Sequence, residues 1–311
     1  MEEVAIAVSC DNNYVKYFSV LLESIKKTSN KNRHYKIYLL NDNLIPFYKS
    51  LLDLQLLCSK NIKLEVINSS IFTKGIKFST CKQWTKETFY RLFLPQILKE
   101  DKVLYLDVDM LVLRDVAELF DTDLGDYYLG ATFNFAHLYA ANNNIQDRGY
   151  FIPDYFNKVL NIDDIYDYFN AGMTLMNLRK MREDNLDKIF LDEINSGFNY
   201  LYVDQDILNK TCYRNYLKLP SQWNIYNSFN PLNTAVHICN DFEKAINDPY
   251  IIHFAGGKKR KVWHNLTIKH ALKWWRVALN SVFFFSILNQ YIKFNKQNFI
   301  KLILFYWRFR L

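Results

Sequence analysis

Apolar residues in the first half of the chain fall into short runs that alternate with segments of helical spacing. The runs 4–10, 35–42 and 63–68 are rich in apolar residues and are typical of buried strands. The segments 14–29 and 46–60 repeat apolar residues every three to four positions, as on one face of a helix. Strands that alternate with helices predict an α/β fold with a mixed, mainly parallel sheet and helices on both faces.

The segments from residue 86 onward do not follow a simple alternation of strands and helices. Residues 86–98 have helical spacing, but Pro95 must bend or break a helix there because proline lacks an amide hydrogen. The run "VLYLDVDMLVL" at 103–113 predicts a fourth strand. In the second half, the predicted strands are 127–134, 168–178 and 250–256, and the predicted helices are 186–195 and 204–212.

The fourth predicted strand contains two aspartates, Asp107 and Asp109, in an otherwise apolar run. A buried carboxylate loses its hydration, so each needs a metal ion, an Arg or Lys partner, or a proton. Side chains two positions apart in a strand point the same way, which predicts that the two carboxylates project together. Mg²⁺ or Mn²⁺ suits two such oxygen ligands. Because ligands bind beyond the carboxyl ends of parallel strands, we expect the pair to lie at a binding site.

Three functions fit an aspartate pair of this kind. In phosphatases of the haloacid dehalogenase type the first aspartate is a nucleophile, but that motif normally lies on the first strand, and Leu111 stands where Thr or Val is usual. In nucleotide-sugar glycosyltransferases the pair holds a metal that bridges the diphosphate. In a non-enzymatic protein that binds a membrane surface the pair would be structural. The chain has no GxGxxG or GxxxxGK[ST] motif, which disfavours a dehydrogenase or a P-loop enzyme.

Charge is unevenly distributed along the chain. The net charge is +7, yet no Asp or Glu follows Asp248, and residues 249–311 carry twelve Lys and Arg. The longest uncharged stretch there, 277–292, has 16 residues, fewer than the roughly 20 that a spanning helix needs. A basic and aromatic segment of this kind favours contact with an anionic membrane surface, the alternative being a helical pair packed on the domain. Five cysteines without metal spacing indicate reduced thiols in the cytoplasm.

Four linked motifs resemble a known family. In order they are "VLYLDVDMLVLRDVAELFDTDLG", "YFNAGMTLMNLRKMR", "YVDQDILN" and "IIHFAGGKKRKVWH". Together they are similar to the signatures of family 8 glycosyltransferases, and most of all to bacterial lipopolysaccharide and lipooligosaccharide galactosyl- and glucosyltransferases. The resemblance implies a single GT-A-like, Rossmann-type nucleotide-sugar-binding domain at 1–264. It also implies a helical, basic, aromatic membrane-associating segment at 265–311.

The resemblance also implies roles for individual residues. Asp107 and Asp109 match the metal-binding pair, and His253 matches the third metal ligand. Gln205 and Asp204 match the residues beside the reacting sugar, although an N-cap is a second possible role for Asp204. The positions that match donor-binding residues are Asp11, Asn13 and Tyr14 at the base and ribose, Arg91, Asn170, Ala171, Asp204 and Gln205 at the sugar, and Gly256 and Lys261 at the diphosphate.

The implied function is that of a retaining glycosyltransferase that depends on Mn²⁺ (or Mg²⁺). It would move a hexose, galactose or glucose, from a UDP-sugar to a lipid-linked lipopolysaccharide or lipooligosaccharide core acceptor. We expect it on the inner face of the bacterial cytoplasmic membrane, without a nucleic-acid partner. Gln205 is a poor nucleophile, so attack on the same face as the leaving diphosphate is favoured over a covalent intermediate. Asp206 is the nearest spare carboxylate for such an intermediate.

Three features depart from the family pattern. The segment between Gly256 and the KxWH element is two residues longer than expected, so Lys258 or Lys259 is an alternative to Lys261. Asn134 stands where the galactosyltransferase pattern has Asp. Residues 135–168 match poorly and are expected on the acceptor side, where specificity transfers least.

Overall fold

The computed structural model describes residues 3–78, 85–143, 145–226, 236–257 and 260–296 of the 311-residue chain. Its elements follow the order expected for an α/β protein in the first half and are more varied in the second. The strands are β1 (Val4–Ser9), β2 (Tyr35–Leu40), β3 (Ile62–Ile67), β4 (Lys102–Leu106), β5 (Met110–Val112), β6 (Leu129–Phe133), β7 (Gln146–Asp147), β8 (Tyr150–Phe151), β9 (Phe169–Asn177), β10 (Tyr216–Lys218), β11 (Ile225–Tyr226) and β12 (Ile251–His253).

The helices cover the sheet and form the C-terminal part of the described chain. They are α1 (Val15–Thr28), α2 (Pro46–Leu56), α3 (Leu94–Ile97), α4 (Ala117–Phe120), α5 (Phe135–Asn142), α6 (Ile152–Leu160), α7 (Leu178–Glu183), α8 (Leu186–Asn195), α9 (Val203–Cys212), α10 (Val236–Asn247), α11 (Ala271–Ala278) and α12 (Phe284–Phe294). Short 3-10 helices lie at Ser69–Ile71, Lys86–Phe93, Ile165–Asp167 and Ser221–Asn224.

The central sheet has seven strands in the order β10-β6-β9-β4-β1-β2-β3. Strands β4, β1, β2 and β3 run parallel, and β9 pairs antiparallel with both β4 and β6. Every residue of β1 is buried, as expected of a central parallel strand covered on both faces. The predicted mixed, mainly parallel α/β sheet is confirmed. A second, three-stranded sheet in the order β11-β12-β5 lies at the end of β4.

The prediction that 103–113 forms one strand is wrong. Strand β4 ends at Leu106, the chain turns through Asp107, Val108 and Asp109, and β5 then joins the second sheet. The aspartates therefore lie in a turn between two sheets, at the carboxyl end of β4. Their carboxylates still approach the same point, but the turn and not the alternation of a strand brings them there.

The segment before β4 also differs from the predicted helix that Pro95 bends or breaks. Residues Lys86–Phe93 form a 3-10 helix, and α3 begins only at Leu94. Pro95 lies in the first turn of α3, where the missing amide hydrogen has no intrahelical partner to lose. This break places Arg91 in the 3-10 segment, where it is buried.

Helices α11 and α12 pack against α1. Trp274 and Ile287 are fully buried in this contact, and the Tyr17 hydroxyl donates a hydrogen bond to Gln290 Oε1 at 2.7 Å. Leu279 and Phe285 on the other side remain exposed. Within the described residues, none of the helices is long and apolar enough to cross a membrane. The part of the predicted membrane-associating segment at 297–311 lies outside the described residues.

Candidate active site

A cavity of about 1370 Å³ opens at the carboxyl ends of the central strands. It is lined by residues that follow β1, β4 and β6 and by the first residues of antiparallel β9. This is the edge at which open α/β sheets bind ligands. The structure brings all of the predicted site residues to this one cavity: Asp11, Asn13, Tyr14, Arg91, Asp107, Asp109, Asn170, Ala171, Asp204, Gln205, His253, Gly256 and Lys261.

Asp107, Asp109 and His253 form a cluster with the composition of a metal site. One ligand atom from each lies within 4.8 Å of the others. His253 ends β12, which pairs antiparallel with β5 so that His253 lies opposite Met110. The second sheet thus carries the imidazole to the turn. His253 Nε2 lies 3.2 Å from Asp109 Oδ1 and 3.7 Å from Asp107 Oδ2.

Two cations accompany the carboxylates. Arg91 Nη2 lies 2.8 Å from Asp107 Oδ1, and the Lys261 ammonium contacts Asp109 Oδ2. Burial by itself raises the pKa of Asp109, but Lys261 and His253 outweigh it and hold that pKa below the ordinary range of an aspartate. The Asp109 carboxylate is therefore ionised and suited to bind a metal ion, while Arg91 and Lys261 provide cations beside Asp107 and Asp109.

Asp204 lies on the opposite side of Arg91. Its Oδ2 is 2.8 Å from Arg91 Nε, and its Oδ1 accepts a hydrogen bond from Thr88 Oγ1 at 2.7 Å. Burial raises the pKa of Asp204 to about 6, although Arg91 and Thr88 oppose the rise. The N-cap of α9 is Tyr202, so the N-cap role considered for Asp204 is wrong: it lies in the first turn.

Gln205 is held in one orientation. Its Oε1 accepts hydrogen bonds from Asn170 Nδ2 at 2.9 Å and from the Ala171 amide at 3.1 Å. Its Nε2 donates to the Tyr168 hydroxyl at 2.9 Å. With both ends of its carboxamide hydrogen-bonded, Gln205 is a fixed polar group on the cavity wall.

Asp206 does not face the cavity. It is fully buried, and its carboxylate accepts hydrogen bonds from the hydroxyls of Tyr155 and Tyr168 and from the Tyr202 amide. Burial raises its pKa to about 6. A carboxylate so enclosed has no path to a sugar in the cavity, so the structure does not support Asp206 as the spare nucleophile.

The turn after β1 forms the far end of the cavity. Asp11 Oδ1 accepts a hydrogen bond from the Tyr14 amide at 3.0 Å, and Asn13 Nδ2 donates to Asp11 Oδ2 at 2.9 Å. Beside them, Tyr17 and Trp263 stack with ring centroids 3.7 Å apart, and the Tyr14 ring meets Trp263 edge-on. This end offers polar edges and an aromatic wall to a planar ligand.

The glycines of "FNAGMT" and "HFAGG" allow the backbone to lie close to neighbouring groups of the site or to adopt a conformation that favours glycine. A Cβ on Gly172 would clash with the His253 ring and lie 2.8 Å from Asp107 Oδ2. Gly256 has φ +108°, a conformation that favours glycine. Lys258 and Lys259, the alternatives to Lys261, lie outside the described residues. Lys261 itself reaches the cavity.

Sequence reasoning missed Asn224 and the local role of Asn134. Asn134 caps α5, with Oδ1 accepting from the Ala136 and His137 amides, and its side chain also hydrogen-bonds the Tyr226 hydroxyl. Its capping role was unforeseen, although its position was singled out. Asn224 lies behind His253 and belongs to no motif whose spacing could have revealed it. The Asn134–Tyr226 contact and the Asn224–His253 contact each join segments that are separated in the chain.

The family model of glycosyl transferase family 8 matches residues 5–267. The chain belongs to this family. General stress protein A of Bacillus subtilis is 26% identical over 281 residues, 86% of this chain and 90% of that protein. Lipopolysaccharide 1,2-glucosyltransferase of Escherichia coli is 26% identical over 283 residues, 89% of this chain and 77% of that protein. The chain spans 60% of glycosyltransferase GlyF of Streptococcus pneumoniae, at 26% identity over 87% of this chain.

Solved structures of glycosyltransferases share the fold. The bifunctional glycosyltransferase WbbM superposes with a TM-score of 0.83 at 26% identity, over 92% of this chain and 51% of that one. Galactosyltransferase LgtC, solved with donor and acceptor sugar analogs, gives a TM-score of 0.70 at 25% identity, over 89% of this chain and 96% of that one. The predicted GT-A-like fold of a family 8 glycosyltransferase is confirmed.

Proposed function

We propose that this protein is a retaining, Mn²⁺-dependent glycosyltransferase that moves galactose or glucose from a UDP-sugar to a lipopolysaccharide or lipooligosaccharide core acceptor. The observation that carries the proposal is the convergence of Asp107, Asp109 and His253 with Asp204 and Gln205 in one cavity. Family membership supports glycosyl transfer. A lipopolysaccharide glucosyltransferase and a galactosyltransferase among its relatives support the hexose and the acceptor class.

The three candidate ligands suit Mn²⁺ or Mg²⁺. Two carboxylate oxygens and one imidazole nitrogen are hard or borderline donors, and Asp109 stays ionised. Gly172 leaves the space beside His253 and Asp107 that any side chain would fill. When bound, the ion would act as a Lewis acid that stabilises the negative charge of the departing diphosphate.

The remaining candidates divide along the cavity. Asp11, Asn13 and Tyr14 are suited to the uracil and ribose, since they present polar edges beside an aromatic wall. Lys261 and the backbone at Gly256 are suited to the diphosphate, because a cation and an open backbone recognise phosphate oxygens. The sugar would lie against the remaining set: Arg91, Asn170, Ala171, Asp204 and Gln205.

The chemistry follows from which groups face the sugar. Gln205 has a neutral amide, and the carboxylate of Asp206 is enclosed by hydroxyls, so neither is suited to a covalent glycosyl intermediate. We expect the acceptor hydroxyl to attack C1 from the face that the diphosphate leaves. The new C1–O bond forms as the bond to UDP breaks, and the hydroxyl proton passes to the departing diphosphate oxygen. This course retains the anomeric configuration.

The surface of the C-terminal helices is consistent with an acceptor that is attached to a membrane lipid. Leu272, Leu279 and Phe285 are exposed there, in a region that carries Lys and Arg but no Asp or Glu. Exposed apolar residues among basic ones favour an anionic membrane surface. We therefore place the enzyme peripherally on the inner face of the cytoplasmic membrane. The haloacid-dehalogenase-type phosphatase is disfavoured by the family match and by the position of the aspartates after the fourth strand.

Thermal unfolding with a panel of nucleotides tests the donor and metal assignments. UDP with Mn²⁺ is expected to raise the unfolding midpoint more than either alone. Asp109→Ala and His253→Ala should lose that joint effect. Equal shifts in these variants and in the wild type would contradict the assigned site, and stabilisation by another nucleoside diphosphate but not by UDP would contradict the donor.

A further inference from the structure

A buried asparagine, Asn224, lies directly behind the candidate metal ligand His253. It ends the 3-10 helix before β11, is completely buried, and is not among the residues that line the cavity. His253 Nδ1 is 3.1 Å from Asn224 Oδ1, while His253 Nε2 faces Asp109 at 3.2 Å. Asn224 can therefore influence the cavity only through its neighbours.

Two backbone amides determine how the neighbouring side-chain amides are oriented. The Gly172 amide donates to Asn170 Oδ1 at 3.1 Å, and the Ala171 amide donates to Gln205 Oε1 at 3.1 Å. A backbone N–H can only donate, so the atoms that face these amides must be side-chain oxygens. The amide orientations of Asn170 and Gln205 thus follow from the backbone.

The orientation of Asn224 follows from that of Asn170. Asn170 Oδ1 can only accept, so the atom of Asn224 that lies 2.8 Å from it must be the donor Nδ2. Asn224 Oδ1 then faces His253 Nδ1. Because a carbonyl oxygen only accepts, Nδ1 carries the hydrogen, and in the neutral ring Nε2 holds the lone pair, on the side of the aspartates.

The hydrogen bonds continue in the same direction past Asn170. Asn170 Nδ2 donates to Gln205 Oε1 at 2.9 Å, and Gln205 Nε2 donates to the Tyr168 hydroxyl at 2.9 Å. Tyr168 in turn donates to Asp206 Oδ1 at 2.6 Å. Each donor points away from His253 and toward Asp206. The buried carboxylate thus ends a chain of uniform polarity that begins at the metal site and passes through Gln205.

We propose that Asn224 is a positioning residue that holds His253 in its Nδ1–H tautomer, with Nε2 free to bind the metal, and that links the metal site through Asn170 to Gln205. The inference rests on the proposed function, since it assumes that a divalent metal binds at Asp107, Asp109 and His253. A hydrogen-bond acceptor behind a ligating histidine typically contributes 10- to 100-fold to metal affinity or activity. This gives the buried polar side chain of Asn224 a role beyond packing.

Two substitutions at Asn224 separate its roles. Asn224→Leu removes both the acceptor for His253 and the donor to Asn170, and it should weaken Mn²⁺ binding about 10- to 100-fold. Asn224→Asp keeps an acceptor for His253 but cannot donate to Asn170. It should bind Mn²⁺ almost as the wild type does while UDP-sugar hydrolysis slows. Isothermal titration with Mn²⁺ alone, with circular dichroism to check folding, measures the affinity.

Asn41→Leu is a matched control. Asn41 is buried and hydrogen-bonds the Cys10 carbonyl at 2.6 Å, but it lies outside the cavity lining. The Asn41→Leu substitution should leave the Mn²⁺ affinity unchanged. If folded Asn224→Leu binds Mn²⁺ like the wild type, or if Asn224→Asp binds it as weakly as Asn224→Leu, the inference is overturned. A wild-type chain that binds no Mn²⁺ would instead overturn the proposed metal site, so failure of the inference can be distinguished from failure of the proposed function.

The tautomer can also be read without any substitution. In nitrogen-15 spectra of the wild-type chain saturated with Mg²⁺, His253 should show a protonated Nδ1 and an unprotonated Nε2. A protonated Nε2 would overturn the inference even if both Asn224 variants fail to fold.

Discussion

Replacing Lys261 with alanine should change metal affinity and nucleotide affinity in opposite directions. The Lys261 ammonium contacts Asp109 Oδ2, and the two side chains are only 15% and 9% exposed. Without a metal, Lys261 therefore competes for an oxygen that the ion would use. With a donor bound, the same cation is suited to the diphosphate. Lys261→Ala should bind Mn²⁺ more tightly in the absence of nucleotide and bind UDP more weakly in its presence.

The size of both effects follows from the contact. A hydrogen bond to a charged group contributes about 1.5–3 kcal/mol, and about 1.4 kcal/mol corresponds to a tenfold change in affinity. Removing the competitor should therefore tighten Mn²⁺ binding by roughly 10- to 100-fold, and losing the diphosphate contact should weaken UDP binding by a similar factor. The metal-free variant should also be less stable, because it leaves Asp109 buried without its cation, and Mn²⁺ should restore that stability.

Calorimetric titration provides the assay. Mn²⁺ is titrated into metal-stripped protein, and UDP is then titrated at saturating Mn²⁺. Lys180→Ala is the control, because Lys180 pairs with Asp184 at 2.7 Å outside the cavity. Its two affinities should match those of the wild type. If Lys261→Ala binds Mn²⁺ no more tightly than the wild type, the competition argument is refuted.

Three further predictions concern stability and the membrane. Burial raises the pKa of Asp206 to about 6 in the folded chain. The folded state therefore holds this proton more tightly than the unfolded state does. As a result, the contribution of Asp206 to stability falls as pH rises from about 4 to about 6. In urea unfolding, the stability of the wild type relative to Asp206→Asn should fall by up to about 3 kcal/mol over that window, and a constant difference would contradict the assignment. Trp274→Ala should lower the free energy of unfolding by about 3–5 kcal/mol, because Trp274 is completely buried against the domain; a loss below about 1 kcal/mol in the same urea assay would contradict that packing. Removing residues 297–311, which include three Lys and Arg, should weaken binding to anionic liposomes in a sedimentation assay while donor hydrolysis persists. Unchanged liposome binding would contradict a membrane-binding role for these residues.

The elements of the first half were predictable because their signals are local. Strand β1, helix α1 and strand β2 follow the periodicity of the sequence to within one or two residues. The turn at Asp107–Asp109 was not predictable in this way. Apolar residues continue through Met110–Val112 because β5 is buried in a second sheet, and periodicity cannot distinguish one long buried strand from two strands in different sheets.

The candidate site was predictable only through motifs. Resemblance led to His253, but its position beside Asp109 depends on the pairing of β12 with β5, which are more than a hundred residues apart in the chain. The Arg91 contacts with Asp107 and Asp204 likewise join distant segments. Asn224 carried no local signal, because a single asparagine in "SQWN" is indistinguishable from a cap or a turn residue.

The most direct test of the account measures UDP release by the purified chain from UDP-galactose and UDP-glucose, with and without Mn²⁺. We predict hydrolysis of at least one of these donors that requires Mn²⁺ and is lost in Asp109→Asn. The control Asp53→Asn, which changes an exposed aspartate paired with Lys49, should keep it. Hydrolysis that persists in Asp109→Asn or without metal, or phosphate release from simple monoesters with no turnover of either UDP-sugar, would contradict the account.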